Sequence, residues 1–299
     1  MAFEFRRDAF KQVDVLVADN RSKRPHVKSK QGCPFCRGNE GMTPPTIVAY
    51  PDGREWRVRR FRNAFPVLKP SKKKFAWDGG RAPASGDHDV IVETEKHSQA
   101  FQDFSPAHIA LVWRAYKDAF LDFSRRKNSE LVFLFRNRGP KSGASIAHEH
   151  AQIIALPYVP AYMRTEADAV KKKCPFCGIA KREKTLFETE NFTCILPSTA
   201  RLPCESWIVS KRHVLSLADL SDAEGVELLQ ALQEVVRRTA PFEESYNVAF
   251  HSAPRGRDFH LHLEIYPRKP IWGAVELGLG LVLNGVGEKS ALKLLKKSD

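Results

Sequence analysis

The tetrapeptide Cys-Pro-Phe-Cys occurs twice in this chain of 299 residues, as Cys33-Pro34-Phe35-Cys36 and Cys174-Pro175-Phe176-Cys177. Each copy is followed, in the same order, by a strand-like run, a lone histidine, a helix, another strand and a His-x-His pair. The histidines are His97 and His148/His150 in the first half, His213 and His260/His262 in the second. The strand at 90–94 is answered by Ser206–Ser210, and that at 131–135 by Tyr246–Phe250. An ordered echo of this length is explained by one α+β unit duplicated in tandem. The halves are expected to span residues 1–160, carrying the catalytic motif, and 161–299, a structural repeat. The length suits either one large domain or two smaller ones fused.

Local signals place the elements. Glu55–Phe61 alternates as a strand does, and Asp89–Thr94 and Glu130–Phe135 read as two more. Ser105-Pro106 opens a helix, with serine as the cap and proline in the first turn. Ile109, Val112, Trp113, Tyr116, Phe120 and Phe123 follow at helical spacing and belong to the core. Ser221-Asp222-Ala223-Glu224 opens a second helix with a capping box. The segment up to about Lys30 has no clear periodicity, 69–87 reads as a Lys/Gly/Pro-rich loop, and a tail helix is expected near Glu288–Lys297.

Four of the six cysteines lie in the two knuckles; Cys194 and Cys204 stand apart. In a long chain with histidines elsewhere, paired Cys-x-x-Cys reads as a metal site rather than a disulfide framework. A redox pair would follow a strand and open a helix, which neither copy does. Zinc takes four tetrahedral ligands, and Cys₂His₂ is a common set. The proposed sets are Cys33, Cys36, His97 and His148, and Cys174, Cys177, His213 and His260, so about two zinc ions per chain. His88 competes with His97, and His251 with His260.

Successive strand residues point to opposite faces, so His148, His150 and Gln152 share one face if the apolar run 153–156 is a buried strand. With His148 given to the metal, His150 remains beside the small-residue loop around Gly143 and Ser145. A neutral imidazole is a good nucleophile toward phosphorus and a good leaving group once protonated. Gln152 cannot take a proton, so it would hold phosphoryl oxygens. Net charge is +13, a field that favours polyanions, either nucleic acid or a phosphorylated substrate. The short lysine runs at 72–74, 171–173 and 296–297 read as solvated faces, and no aromatic-rich RNA-binding signature accompanies them. No apolar run approaches the roughly 20 residues of a membrane span, and no signal-peptide core is present, so a cytoplasmic address is expected.

The run His148-Glu149-His150-Ala151-Gln152 resembles the His-x-His-x-Gln signature of the nucleotidyltransferase branch of the histidine-triad superfamily. Cys33–Glu40, Asn63–Pro66, Phe135–Gly139, Ser142–Ser145, His260–Glu264 and Gly273–Val286 extend the resemblance to the galactose-1-phosphate uridylyltransferase family. The resemblance implies two similar halves with antiparallel sheets flanked by helices, and usually a homodimer with active sites near the subunit interface. It implies ping-pong transfer of UMP between UDP-glucose and galactose 1-phosphate, with His150 attacking the α-phosphorus and His148 ligating zinc. Asn137 and Ser145 would hold phosphate oxygens, Asn63 and Phe65 would meet base and ribose, and Glu276 would touch hexose hydroxyls. Two residues depart from the pattern: Glu149 stands where the family has proline, and Ala64 where it has an acidic residue. Relatives in this branch use ADP-glucose and phosphate, or diadenosine polyphosphates, so a phosphorylase is the alternative. Hydrolytic members carry a third histidine where Gln152 stands. A non-enzymatic zinc-knuckle protein binding nucleic acid would account for the charge, but it leaves His150, Gln152 and Ser145 without a role.

Overall fold

Apolar residues on both faces of most strands call for cover on both sides of a sheet, and the chain supplies it differently on each. A computed structural model describes residues 3–11, 13–23 and 32–296. In order, the elements are β1 (Phe3–Arg7), β2 (Asp14–Ala18), β3 (Thr46–Tyr50), β4 (Val58–Arg62), β5 (Arg81–Pro83), β6 (Asp87–Val92), α1 (Pro106–Ser124), β7 (Leu131–Arg138) and β8 (His150–Leu156). After them come α2 (Ala161–Lys172), β9 (Lys184–Glu188), β10 (Phe192–Leu196), β11 (Ser206–Ser210), α3 (Asp222–Thr239), β12 (Tyr246–His251), β13 (His262–Pro267), α4 (Ala274–Leu279) and α5 (Glu288–Lys296).

Ten strands form one sheet in the order β3-β4-β6-β8-β7-β12-β13-β11-β10-β9. Neighbours are antiparallel throughout, and the order of one half of the chain mirrors that of the other. The α+β class is therefore as expected. The halves join where β7 pairs with β12, with Asn137 opposite Asn247. That junction pairs two strands that would otherwise expose unsatisfied edges.

Helices α1 and α3 cover one face. Ser105 accepts from the His108 N–H at the start of α1, and Ser221 and Glu224 form a reciprocal capping box on α3. Ile91, Leu134, Ala151 and Ile153 pack there with Trp113 and Tyr116, and Ile208, Val248 and Leu263 with Leu228, Leu232 and Val235. The alternate residues of the same strands face the other way. Val90 and Val92 pack with Cys33, Phe35, Trp56 and Phe61, and Ile195 and Val209 with Val170 and Phe176. Each cysteine knuckle thus covers the face opposite the helices.

The structure adds elements that the sequence reading does not place, β3, β9, β10 and α4 among them. The aperiodic N-terminus holds β1 and β2, which pair with each other, and β1 pairs on its other edge with β5 from inside the expected loop 69–87. Their alternation is short and half-buried, too weak to stand out. Helix α2, whose apolar stripe is only Met163, Ala167 and Val170, was not anticipated. Helix α5 ends at Lys296, and Lys297 lies outside the described residues.

Gly225 is where α3 crosses α1. A Cβ at that position would lie 1.9 Å from Trp113 Cε2, so even alanine overpacks the helix crossing. Gly225→Ala is expected to cost about 2 kcal/mol, read as a lowered midpoint in urea unfolding, whereas alanine at the exposed Gly278, with open space around its Cα, is expected to be tolerated.

Candidate functional site

β8 carries its chemistry on the face away from the helices. His150 lies opposite Val92, and Gln152 opposite Val90, on the neighbouring β6. Both line a cavity with Phe35 of the knuckle, Asn63 and Phe65 after β4, and Ser145 and Ile146 of the preceding loop. The sequence-predicted residues His150, Gln152, Asn63, Phe65 and Ser145 therefore converge.

His150 Nδ1 lies 2.8 Å from the His148 carbonyl oxygen. A carbonyl can only accept, so the proton sits on Nδ1 and Nε2 is the basic nitrogen of the ring. The Phe35 ring stands edge-on to the imidazole, centroids 5.1 Å apart. Gln152 Oε1 accepts from His88 Nε2 at 3.0 Å and from Asn63 Nδ2 at 3.3 Å. The loop between β7 and β8 turns through Gly139 and Gly143, both at positive φ. At Gly139 the requirement is also steric, since a Cβ would lie 2.4 Å from Ser245 Oγ.

Asn137 lies on the edge of this loop. Its Oδ1 accepts from Asn247 Nδ2 at 2.6 Å, and the same Nδ2 also donates to the Ser142 carbonyl at 3.0 Å. Asn247 comes from the second half of the chain and holds both an expected phosphate-binding residue and its loop. Sequence reasoning passed over it; the signal available was its place in Tyr246–Phe250, the echo of the strand that bears Asn137. Glu276 is elsewhere. Its exposed carboxylate accepts from the N–H groups of Gly273 and Leu283, capping its own helix.

Glu149, unexplained by the family pattern, points into the helix-side core. Its carboxylate meets Arg136 Nη2 at 2.9 Å and Arg138 Nε at 3.2 Å. Arg136 also bonds both oxygens of Glu93, at 2.8 and 2.7 Å, and its guanidinium lies over Phe101. Burial raises the Glu149 carboxyl, and the two arginines oppose that shift.

Two groups of four donors can hold a metal ion: Cys33, Cys36, His97 and His148, and Cys174, Cys177, His213 and His260, with ligand atoms in each group within 4.8 Å of one another. Sulfur to Nδ1 distances are 3.6–3.8 Å in the first and 3.2–3.7 Å in the second. A tetrahedral ion with ordinary Zn–S and Zn–N bonds places such atoms about 3.6 Å apart. The outer ring nitrogens are occupied in the way metal-bound imidazoles require. His148 Nε2 donates to the Thr94 carbonyl at 2.6 Å, His260 Nε2 to that of Ser210 at 2.8 Å, and His213 Nε2 faces Asp258 at 2.9 Å. Burial lowers His148 and His260 to about 4, so both rings are neutral with the Nδ1 lone pair available. The competition between histidines is resolved, since His88 faces Gln152 and His251 faces Glu166, 3.1 Å away.

His262 repeats the geometry of His150 but not its setting. Its Nδ1 donates to the His260 carbonyl at 2.8 Å, yet its Nε2 lies 3.0 Å from a Glu166 oxygen, and the ring is fully buried. Burial would lower this histidine, but Glu166 and Glu264 raise it to about 9. It is held as a cation and lacks the lone pair a nucleophile needs. Glu166, His251 and His262 form a third group of converging donors, tied to Arg201 through Glu264.

Glu149 is the carboxylate shared by Arg136 and Arg138, and no other ion pair holds Arg138 among the described residues, so removing it leaves a partly buried guanidinium without its counter-charge. Glu149→Ala is expected to lower unfolding free energy by about 3 kcal/mol, measured by denaturant titration, with Glu149→Gln losing less.

A family described as the N-terminal domain of a "domain of unknown function (DUF4931)" matches residues 83–159. A galactose-1-phosphate uridylyltransferase of Thermotoga maritima is 30% identical over 312 residues, covering 95% of this chain and 95% of that one. An ADP-glucose phosphorylase of Arabidopsis thaliana is 28% identical over 324 residues, covering 98% of this chain and 92% of that one. The crystal structure of an Arabidopsis thaliana ADP-glucose phosphorylase with bound ADP-glucose superposes with a TM-score of 0.82 at 26% identity, over 98% and 97% of the two chains. With a relative of this identity matched along nearly the whole length, and with the His-x-His-x-Gln strand and its cavity in place, the chain belongs to the galactose-1-phosphate uridylyltransferase family.

Proposed function

We propose that this protein moves UMP between UDP-glucose and galactose 1-phosphate by a ping-pong route through a nucleotidyl-His150 intermediate. The observation that carries the reading is the His150 Nδ1–H bond to the His148 carbonyl, which makes Nε2 the basic nitrogen of a ring lining the cavity. That nitrogen attacks the α-phosphorus of the donor. The N–P bond forms as the bond to the bridging oxygen breaks, and glucose 1-phosphate leaves with the electron pair. A phosphate oxygen of galactose 1-phosphate then attacks the same phosphorus, the N–P bond breaks, and His150 returns neutral. Gln152, Ser145 and Asn137 donate hydrogen bonds to the phosphoryl oxygens, where charge builds up in transfer. Asn63 and Phe65 receive base and ribose.

Zinc is the metal proposed for both Cys₂His₂ groups, at about two ions per chain. Its chemistry here is structural: it fixes each knuckle to the sheet and neutralises thiolates. A homodimer is part of the reading. The exposed run Ile271, Leu277, Leu279, Leu281 and Leu283 beside Glu276 is an apolar surface of the sort subunit contacts cover, and such a contact would bring Glu276 to a hexose. Nucleic acid is not the proposed partner, since that reading leaves His150, Gln152 and Ser145 without a role.

ADP-glucose phosphorolysis is the second reading, favoured by the full-length similarity to the phosphorylase. The two share the nucleotidyl-histidine and differ in base and acceptor. Labelled UDP-glucose, ADP-glucose and diadenosine tetraphosphate, each offered without acceptor, separate them. Label that is acid-labile and alkali-stable, held on His150 and absent from His150→Ala, is the expected result, and the base it carries names the donor. No label from any donor in metal-replete protein would sink the mechanism. Elemental analysis is expected to return about two zinc per chain, falling with chelator treatment together with the melting temperature.

A further inference from the structure

Two backbone N–H groups, far in sequence from the His-x-His-x-Gln strand, determine which way its glutamine faces. The Val67 N–H donates to His88 Nδ1 at 3.1 Å. A backbone N–H can only donate, so Nδ1 carries the lone pair and the neutral ring has its proton on Nε2. Likewise the Phe65 N–H donates to Asn63 Oδ1 at 2.8 Å, so Asn63 presents its Nδ2 on the other side. His88 Nε2 and Asn63 Nδ2 are 3.1 Å apart and both are donors. They converge on one atom of Gln152, at 3.0 and 3.3 Å. Only a carbonyl oxygen, with two lone pairs, satisfies both. An inverted amide would bring a third donor against two, in a site where His88 is 3% and Gln152 7% exposed.

We infer that His88, with Asn63 beside it, is a positioning residue that locks the Gln152 amide with its N–H groups toward the cavity and its oxygen away. The inference rests on the transfer reading above and adds a residue to it. A free glutamine side chain presents either end to a phosphate, and the oxygen end repels it. The lock removes that choice before substrate arrives, which is what preorganised donors require. Sequence position alone makes His88 a rival of His97 for the metal. The structure assigns it a different task.

The tautomer is tested first, in the wild-type, metal-loaded protein, by long-range ¹H–¹⁵N correlation of labelled histidine. His88 protonated on Nε2 is expected, and protonation on Nδ1 would overturn the inference. Kinetically, His88→Leu is expected to slow nucleotidyl transfer to His150 by about 10–100-fold, with metal content and KM for the donor close to wild type. His88→Gln can place an amide nitrogen near the Nε2 position, and it is expected to recover most of the rate. In a Gln152→Ala background, His88→Leu should add no further loss. A wild-type rate in His88→Leu, or a loss that adds in full to that of Gln152→Ala, counts against the lock. If His88→Leu fails to fold, the tautomer and His88→Gln still decide. If wild-type protein takes no label at all, the transfer reading falls, and the tautomer measurement judges His88 separately.

Discussion

Successive residues of β8 leave the sheet on opposite faces, so a slip of one residue would carry His150 into the helical core and Glu149 into the cavity. The structure pins that register from both sides. On one side, Glu149 is held by Arg136, itself clamped to Glu93. On the other, His148 is drawn into the knuckle by Cys33 and Cys36. A residue that looks misplaced in the motif is thus part of what keeps the motif facing the right way. Burying these charges is costly, and the arrangement persists because each carboxylate has an arginine and each arginine more than one acceptor.

The two halves use the same backbone device to opposite ends. In both, the second histidine of the pair donates Nδ1–H to the carbonyl of the first. In the first half the remaining nitrogen belongs to a cavity ring. In the second it meets Glu166, delivered by α2, with Glu264 nearby. The backbone geometry is the same in both halves, and a carboxylate from α2 makes the second ring an ion-pair partner. Pseudo-symmetry of the strands therefore says little about symmetry of chemistry, which is set by what packs against them.

Features that depend on residue order could be read from the chain. The duplicated knuckle, the two four-donor sets and the strand face with His150 and Gln152 all follow from spacing and the pleat. The caps of α1 and α3 follow from Ser105 and Ser221. What escaped are features fixed by tertiary contact. β1 and β2 have little apolar alternation and owe their place to Phe5, Phe75, Trp77 and Tyr158 packing together. His88 and Asn247 act across strands, and no local pattern marks a histidine as a partner of an amide 64 residues away. Glu149 could not be explained without Arg136, whose burial is invisible in a run where five apolar residues give way to Arg-Asn-Arg.

The knuckles also do more than fasten a loop. Phe35, between the cysteines of the first, forms the wall beside His150, and Phe176 of the second stacks on His262, with ring centroids 4.3 Å apart. An aromatic wall excludes water from one side of the imidazole and restricts its rotation. Because Phe35 lies inside the Cys-x-x-Cys turn, its position is set by the same turn that presents the two sulfurs. Anything that holds those sulfurs to His97 and His148 therefore also holds the wall against His150. The four-donor group and the His150 ring are thus linked through one side chain, so the geometry of the knuckle and that of the cavity wall are set together.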